Sequence, residues 1–527
     1  MTLLQKEIKQ NKQWLIYALV ATFIWGMAAH GYMFMQSNFS HDSLAEFNGE
    51  IFGDALKIIT GRFMSTVNRM IFRTSLTIPW LIGILSMLWI GLSVFFTLRI
   101  FDIESKLPAF LIAGIYTANL TVSCTVATFM HDLDADMLSL LFSVIAVFFW
   151  RKGKRHCMLG AICVMLSLGF YQSYVTVTVV LIMFACILDV LNEVDLKTVF
   201  ADGMKAIVML LCGGGLYYLV LKLIPYVTGL EIVKGTGNSM DVPIGMSWND
   251  FVDLTKGAYG KYFKRMATVL SPYGPEVTNA ITFILFLGVI MILGIGLWNK
   301  KTPIVEKILC VALIILLPFA MNLLHVLTYG GNHELTRFSY WLSYLFVLLL
   351  SLWLIKWIKG KTEKKGVYRV LKWTVSLNFF LIFVLIYSNV QVANVFYLKK
   401  DLENKAYLSL MTRITYRIEE CDGYEPGITP VVIVGLPEQN NTVIPGFENY
   451  TGPNGVQTSD VLTFATRSRF ESYFHNYLNT PIRLADESDW DQYEKDPMIQ
   501  KMPSYPAEGC TAMRDGILVV KLGDNMY

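Results

Sequence analysis

Ionisable side chains at the mouth of a membrane helix bundle are functional hypotheses by default. Three polar segments of this chain place such side chains at the ends of apolar runs. His41-Asp42 follows the first run. A carboxylate there also suits the start of a helix, whose dipole stabilises it. His131-Asp132-Leu133-Asp134-Ala135-Asp136 sets three carboxylates within five residues at the start of another run. Hard divalent cations want several carboxylate oxygens, and a clamp on substrate hydroxyls wants the same. A helix cap needs only one acid, so three favour function for Asp132, Asp134 and Asp136. The third segment, Tyr329 to Phe338, holds His333, Glu334 and Arg337. Arg337 can grip a phosphate through a bidentate contact or snorkel to lipid headgroups, and the sequence leaves both open. Tyr171, Gln172 and Tyr174 mark a further turn, where an interfacial aromatic belt competes with a sugar contact.

The elements that must hold these residues are membrane helices. Of 527 residues 54% are hydrophobic and 16% charged, with a mean hydropathy of +0.47; soluble chains carry about 25% charge. A net charge of +3 with no basic arm argues against a nucleic-acid partner. Apolar runs fall at 14–35, 79–99, 107–127, 137–150, 157–170, 173–191, 205–228, 278–298, 303–328, 338–358 and 370–391, which predicts about eleven spans. The first reads as a signal anchor, preceded by Lys6, Lys9 and Lys12. Lys and Arg recur in alternate loops: Arg99 and Lys106; Arg151, Lys152, Lys154 and Arg155; Lys197 and Lys205; Lys300 and Lys301; and Lys356 to Lys372. The positive-inside rule then places the N-terminus in the cytoplasm and the chain after residue 391 outside.

Three outside segments are long: 36–78, 229–277 and 392–527. In the first, Ser43 and Glu46 have capping-box spacing, and Phe47, Ile51, Ala55, Ile58 and Ile59 recur at helical spacing, as an amphipathic surface helix requires. The second repeats the style with Trp248, Phe251, Tyr259, Tyr262 and Phe263 among Lys256, Lys261, Lys264 and Arg265. The third shows a helical stripe (Leu402, Ala406, Leu410, Ile414, Ile418), two short buried strands (Val431 to Val434 and Ile517 to Val520) and a helix from Ser468 to Leu478, hence a small α/β unit. Its two cysteines, Cys421 and Cys510, are expected to pair in an oxidising compartment. The expectation is a polytopic α-helical membrane protein with a membrane domain at 1–391 and an extracytoplasmic α/β domain at 392–527. No P-loop or dinucleotide glycine motif occurs. Gly213-Gly214-Gly215 lies inside a run, where small residues permit close helix packing.

The first span, His41-Asp42-Ser43, the amphipathic segment, Gly61-Arg62-Phe63 and Pro79-Trp80-Leu81 resemble the opening of the bacterial glucosyltransferase family II proteins. These decorate O-antigen and related cell-surface polysaccharides. The acidic loop at Asp132 to Asp136, the Tyr171-Gln172-Ser173 turn and the outside tail are similar too. The resemblance implies a type C glycosyltransferase that takes a hexose, glucose by family name, from a polyprenyl-phosphate donor and delivers it outside to a polysaccharide or lipid-linked acceptor. It maps the catalytic carboxylate in the first outside loop onto Asp42 as general base. Arg337, with Arg62, would bind the donor phosphate. His131, Asp132, Asp134, Asp136, Tyr171 and Gln172 would contact donor or acceptor, with a divalent cation an option for the acids. The rival readings are a lipid-linked-sugar flippase, which would need polar residues along a midplane path, and a polysaccharide polymerase or related surface-polymer transferase.

Overall fold

A computed structural model describes residues 3–38, 40, 52–74, 76–232, 246–267, 275–298, 303–331, 333–361, 365–435 and 467–524. Apolar runs become helices because a lipid environment offers backbone N–H and C=O groups no partner but each other. Nine described helices are long and apolar enough to cross a membrane, and the bent pair Lys106–Thr117 and Leu120–Thr128, kinked by 41°, adds a tenth candidate. The kink sits at Asn119, whose side chain accepts from the Val122 amide at 3.0 Å and so restarts the helix. The run at 157–170 is a helix of only 14 residues, Cys157–Phe170. It is about 21 Å long at about 1.5 Å per residue, short of the roughly 30 Å hydrocarbon core. Eleven crossings are therefore reached only if this short helix and the bent pair both cross.

The Pro79–Ile100 helix packs on Lys12–Phe34 and on Leu133–Arg151, and Cys157–Phe170 lies between Leu133–Arg151 and Leu196–Thr228. Small residues set these approaches. A Cβ on Gly213 would stand 2.6 Å from the Val164 side chain and 2.8 Å from the Ala161 carbonyl, whereas Gly214 and Gly215 meet nothing within 4 Å. Only the first of the three glycines is therefore a packing glycine. At the Arg151 end of the Leu133–Arg151 helix, Glu7 joins Arg99 (2.8 Å) and Lys152 (3.1 Å), and Arg151 grips Asp189 at 2.5 and 2.7 Å. The acidic residues at 132–136 lie at the other end of this helix.

Two of the segments expected outside carry helices between the long apolar ones. Phe52–Ile59 and Phe63–Phe72 follow the first span; the capping pair Ser43 and Glu46 lies outside the described residues. Trp248–Met266 begins at Ser247, which exchanges capping-box bonds with Asp250. This helix lays one side on Ile304–Met321 and leaves Trp248, Phe251 and Phe263 exposed.

The last span has no end at 391. One helix runs Lys365–Glu419, 55 residues, about 80 Å at about 1.5 Å per residue. The stripe at 402–418 is the continuation of this helix, and its Met411, Ile414 and Ile418 enter a second buried cluster with the strands. Those strands are β1 (Val431–Val434), β2 (Thr511–Arg514) and β3 (Ile517–Lys521), in the order β1-β3-β2, with β1 parallel and β2 antiparallel to β3. The expected helix from Ser468 starts as Arg467–Ser472 and continues as a π turn, Tyr473–Tyr477. Cys421 and Cys510 are both free thiols, so the expected bridge is not formed. Cys421 is half-buried where the long helix ends, and Cys510 is buried just before β2, each in its own packing environment.

Candidate active site at the mouth of the helix bundle

The Met130–Asp132 turn and the Leu133–Arg151 helix put three aspartates at one end of the bundle, and the structure treats them differently. Asp134, fully buried, accepts two bonds from Arg73 (Nε at 3.0 Å, Nη2 at 3.2 Å) and one from Asn68 Nδ2 at 2.6 Å. Arg73 also donates to the His131 carbonyl. Asp132 is bonded by Lys57 and lies 3.3 Å from Arg69 Nη2, with His131 Nε2 at 3.5 Å. Lys57 comes from the Phe52–Ile59 helix, Asn68 and Arg69 from Phe63–Phe72, and Arg73 follows directly. Asp132 and Asp134 thus anchor the segment that follows the Lys12–Phe34 helix. Their oxygens are held by protein cations, and no cluster of three metal-binding side chains occurs among the described residues.

Asp136 sits one helical turn beyond Asp132, half-buried, and its carboxylate makes no hydrogen bond or ion pair among the described residues. The charges around it are Asp132, Arg62, Lys57 and Asp134. Arg62 caps the Phe63–Phe72 helix behind Gly61, which has the left-handed φ of +80°. Its guanidinium lies over the Tyr171 ring, 4.5 Å from the centroid, and its buried Nε has no hydrogen-bond partner. Gln172 donates to the Thr60 carbonyl at 3.1 Å and to Tyr217 at 3.0 Å. Tyr217 in turn reaches the Gly61 carbonyl at 3.3 Å. A Cβ at Gly61 would stand 2.4 Å from that tyrosine oxygen, so the glycine is required on both counts. These bonds are what aim Arg62 at Tyr171.

A second group of charges lies close by. Glu334, buried, is shared by Arg265 Nε at 3.0 Å and Arg337 Nη1 at 3.1 Å. Lys261 donates to the Gly330 carbonyl at 3.1 Å, and burial, with the Arg337 charge after it, lowers its pKa. Two guanidiniums and an ammonium against one carboxylate leave a net positive charge, which favours an anion. The Glu334 carbonyl accepts from Thr121 at 2.9 Å, tying this loop to the broken span. An aromatic line joins the two groups: Tyr171 to Tyr174 at 6.0 Å, and Tyr174 to Phe338 at 5.5 Å, next to Arg337.

Asp42 and His41 lie outside the described residues; Ser40, the nearest described residue before them, donates to the Thr128 carbonyl beside the acidic turn. Sequence reasoning missed Lys57, Arg69 and Arg73 as partners of the acids, and Arg265 as a partner of Glu334. The signal was present. Lys57, Arg62, Arg69 and Arg73 crowd a loop that the positive-inside rule expects to be poor in cations, and cations so placed call for local carboxylates.

A family model described as glucosyl transferase GtrII matches residues 31–350. The match takes in Ser40, the Phe52–Ile59 and Phe63–Phe72 helices, the three aspartates and Arg337, and ends before the Lys365–Glu419 helix. No curated protein and no solved structure matches the chain. With a match over more than half of its length, the chain belongs to the glucosyl transferase GtrII family.

Proposed function

We propose that this glucosyltransferase is a type C membrane enzyme that moves a hexose, glucose by family, from a polyprenyl phosphate to a hydroxyl of a cell-surface polysaccharide or lipid-linked acceptor such as O-antigen, outside the inner membrane. The observation that carries this reading is the company of Arg62 and Asp136. A cation suited to phosphate, held over Tyr171, and a carboxyl group suited to hydroxyls, on which that cation's charge acts, lie at the end of an apolar bundle, where a lipid-borne donor can bring its head group. Asp42 is the general base, two residues after Ser40 in the chain. It takes the proton of the acceptor hydroxyl; the acceptor oxygen bonds to the anomeric carbon, and the bond from that carbon to the phosphate oxygen breaks. The electron pair leaves with the phosphate, whose charge Arg62 and Arg337 balance. The surface helices Phe63–Phe72 and Trp248–Met266 wall the entry.

Asp42→Asn tests the base, because it keeps size and removes only basicity. Transfer per inserted protein, with polyprenyl-phosphate glucose supplied, should fall about 10²–10⁴-fold. Near-normal turnover would take the role away from Asp42.

A further inference from the structure

Of the three aspartates at the mouth, only Asp136 keeps both oxygens clear of protein donors among the described residues. Beside it stands a second group with an unmet need. Tyr174 is 1% exposed, and its hydroxyl has no hydrogen-bond partner among the described residues. Its turn is bound to the Asp136 helix: Ser139 and Ser143, one and two turns after Asp136, donate to the Tyr171 and Tyr174 carbonyls at 2.9 and 2.8 Å, and Asp136 and Tyr171 are the charged and titratable groups that act on the Tyr174 hydroxyl. A buried hydroxyl without a partner is costly, and polar groups left unmet in a native protein ask for an explanation. Arg62 adds a third, its Nε buried and unmet over the Tyr171 ring. Three groups of complementary kinds therefore gather at the Tyr171-Tyr174 turn: an acceptor, a donor that can also accept, and a cation.

We infer that Asp136 and Tyr174 hold hydroxyls of the sugar being transferred, while Arg62 on the Tyr171 face holds the phosphate that carries it. The inference rests on the sugar-phosphate donor proposed above. Hydrogen-bonding chemistry fixes the direction of the ligand. The two Asp136 carboxyl oxygens accept hydrogen bonds from vicinal hydroxyls, whereas the Arg62 guanidinium, with donors only, suits the phosphate oxygens. Asp132 and Asp134 cannot take this part, because Lys57, Arg69 and Arg73 hold their oxygens. Asp136 is a binding residue here, separate from the base that takes the acceptor proton.

The test measures binding to the purified full-length protein of two lipids, polyprenyl-phosphate glucose and bare polyprenyl phosphate. Asp136→Asn should weaken the glucosyl lipid about tenfold or more, the worth of hydrogen bonds to a charged group, and leave the bare lipid unchanged or tighter. Tyr174→Phe should weaken the glucosyl lipid several-fold without lowering the melting temperature, since no protein bond is lost. That second variant carries the test should Asp136→Asn fail to fold. Arg62→Gln should weaken both lipids. An unchanged ratio of the two affinities in Asp136→Asn and Tyr174→Phe overturns the inference while leaving the donor intact. If the wild-type protein binds neither lipid, the donor reading falls and takes the inference with it.

Discussion

Asp134 and Asp136 differ by two positions on one helix, yet a substitution at each should be felt differently. Asp134 and Arg73 are 0% and 1% exposed at the side chain. Asp134→Asn would leave the Arg73 guanidinium buried with no counter-charge. Removing one partner of a buried pair costs about 3–5 kcal/mol, so this variant should melt well below the wild type in detergent, and its yield of inserted protein should drop. Asp136→Asn removes no protein contact and should melt near the wild-type temperature. Intrinsic fluorescence melting of the two variants side by side checks the contrast; equal losses would mean that Asp134 is not a clasp. Three acids in five residues were legible from the sequence as a functional cluster. Which acid is spent on the protein was not, because Lys57, Asn68, Arg69 and Arg73 approach from a segment some sixty residues earlier.

At the scale of elements, helix identity followed from the apolar runs, but helix approach did not. Gly213, Gly214 and Gly215 read alike in sequence. Only Gly213 faces a neighbour, with the Ala161 carbonyl 2.8 Å from where a Cβ would be. Backbone cannot step aside as a flexible side chain can, so Gly213→Ala should cost about 1–3 kcal/mol by overpacking. Gly214→Ala meets open space and should gain up to about 1 kcal/mol from helix propensity. Opposite shifts in melting temperature are the expected result; a common sign would show that the contact with the Cys157–Phe170 helix is not tight. The same short helix explains the place of the Tyr171-Gln172 turn. A helix of 14 residues ends early, and its closing turn is buried against Gly61 and Tyr217.

For the whole molecule, the long Lys365–Glu419 helix is the chief departure from the sequence reading. A domain boundary at 392 was drawn where hydropathy falls, but hydropathy reports the solvent around a helix, not its end. Residues 392–419 stay helical because Tyr397 bonds His30 at 2.7 Å, Asp401 accepts from Tyr32 at 2.8 Å, and Met411, Ile414 and Ile418 enter the second core. The tail is thus carried on a continuous rod packed along the first span. The distribution of Lys and Arg predicts that this tail lies outside the cytoplasm. A reporter fused after Tyr527 that works only in the cytoplasm should stay silent, and one that works only outside should be active. The reverse pattern would invert the topology and move the proposed site to the inner face.

The sequence by itself determined the helical character of the long apolar runs, the two short strands at Val431 to Val434 and Ile517 to Val520, the second of which extends to Lys521, and the family, whose model matches residues 31–350. Hydropathy and periodicity are local properties, and local properties can be read along a chain. The tertiary structure alone decided which carboxylates are neutralised, that Gln172 bonds Thr60 and Tyr217, that Arg62 lies on Tyr171, and that Cys421 and Cys510 are free thiols. Each of these turns on which charge or ring meets which across tens or hundreds of residues. Coulomb and hydrogen-bond energies depend on distance in space, and only packing of the helices sets that distance.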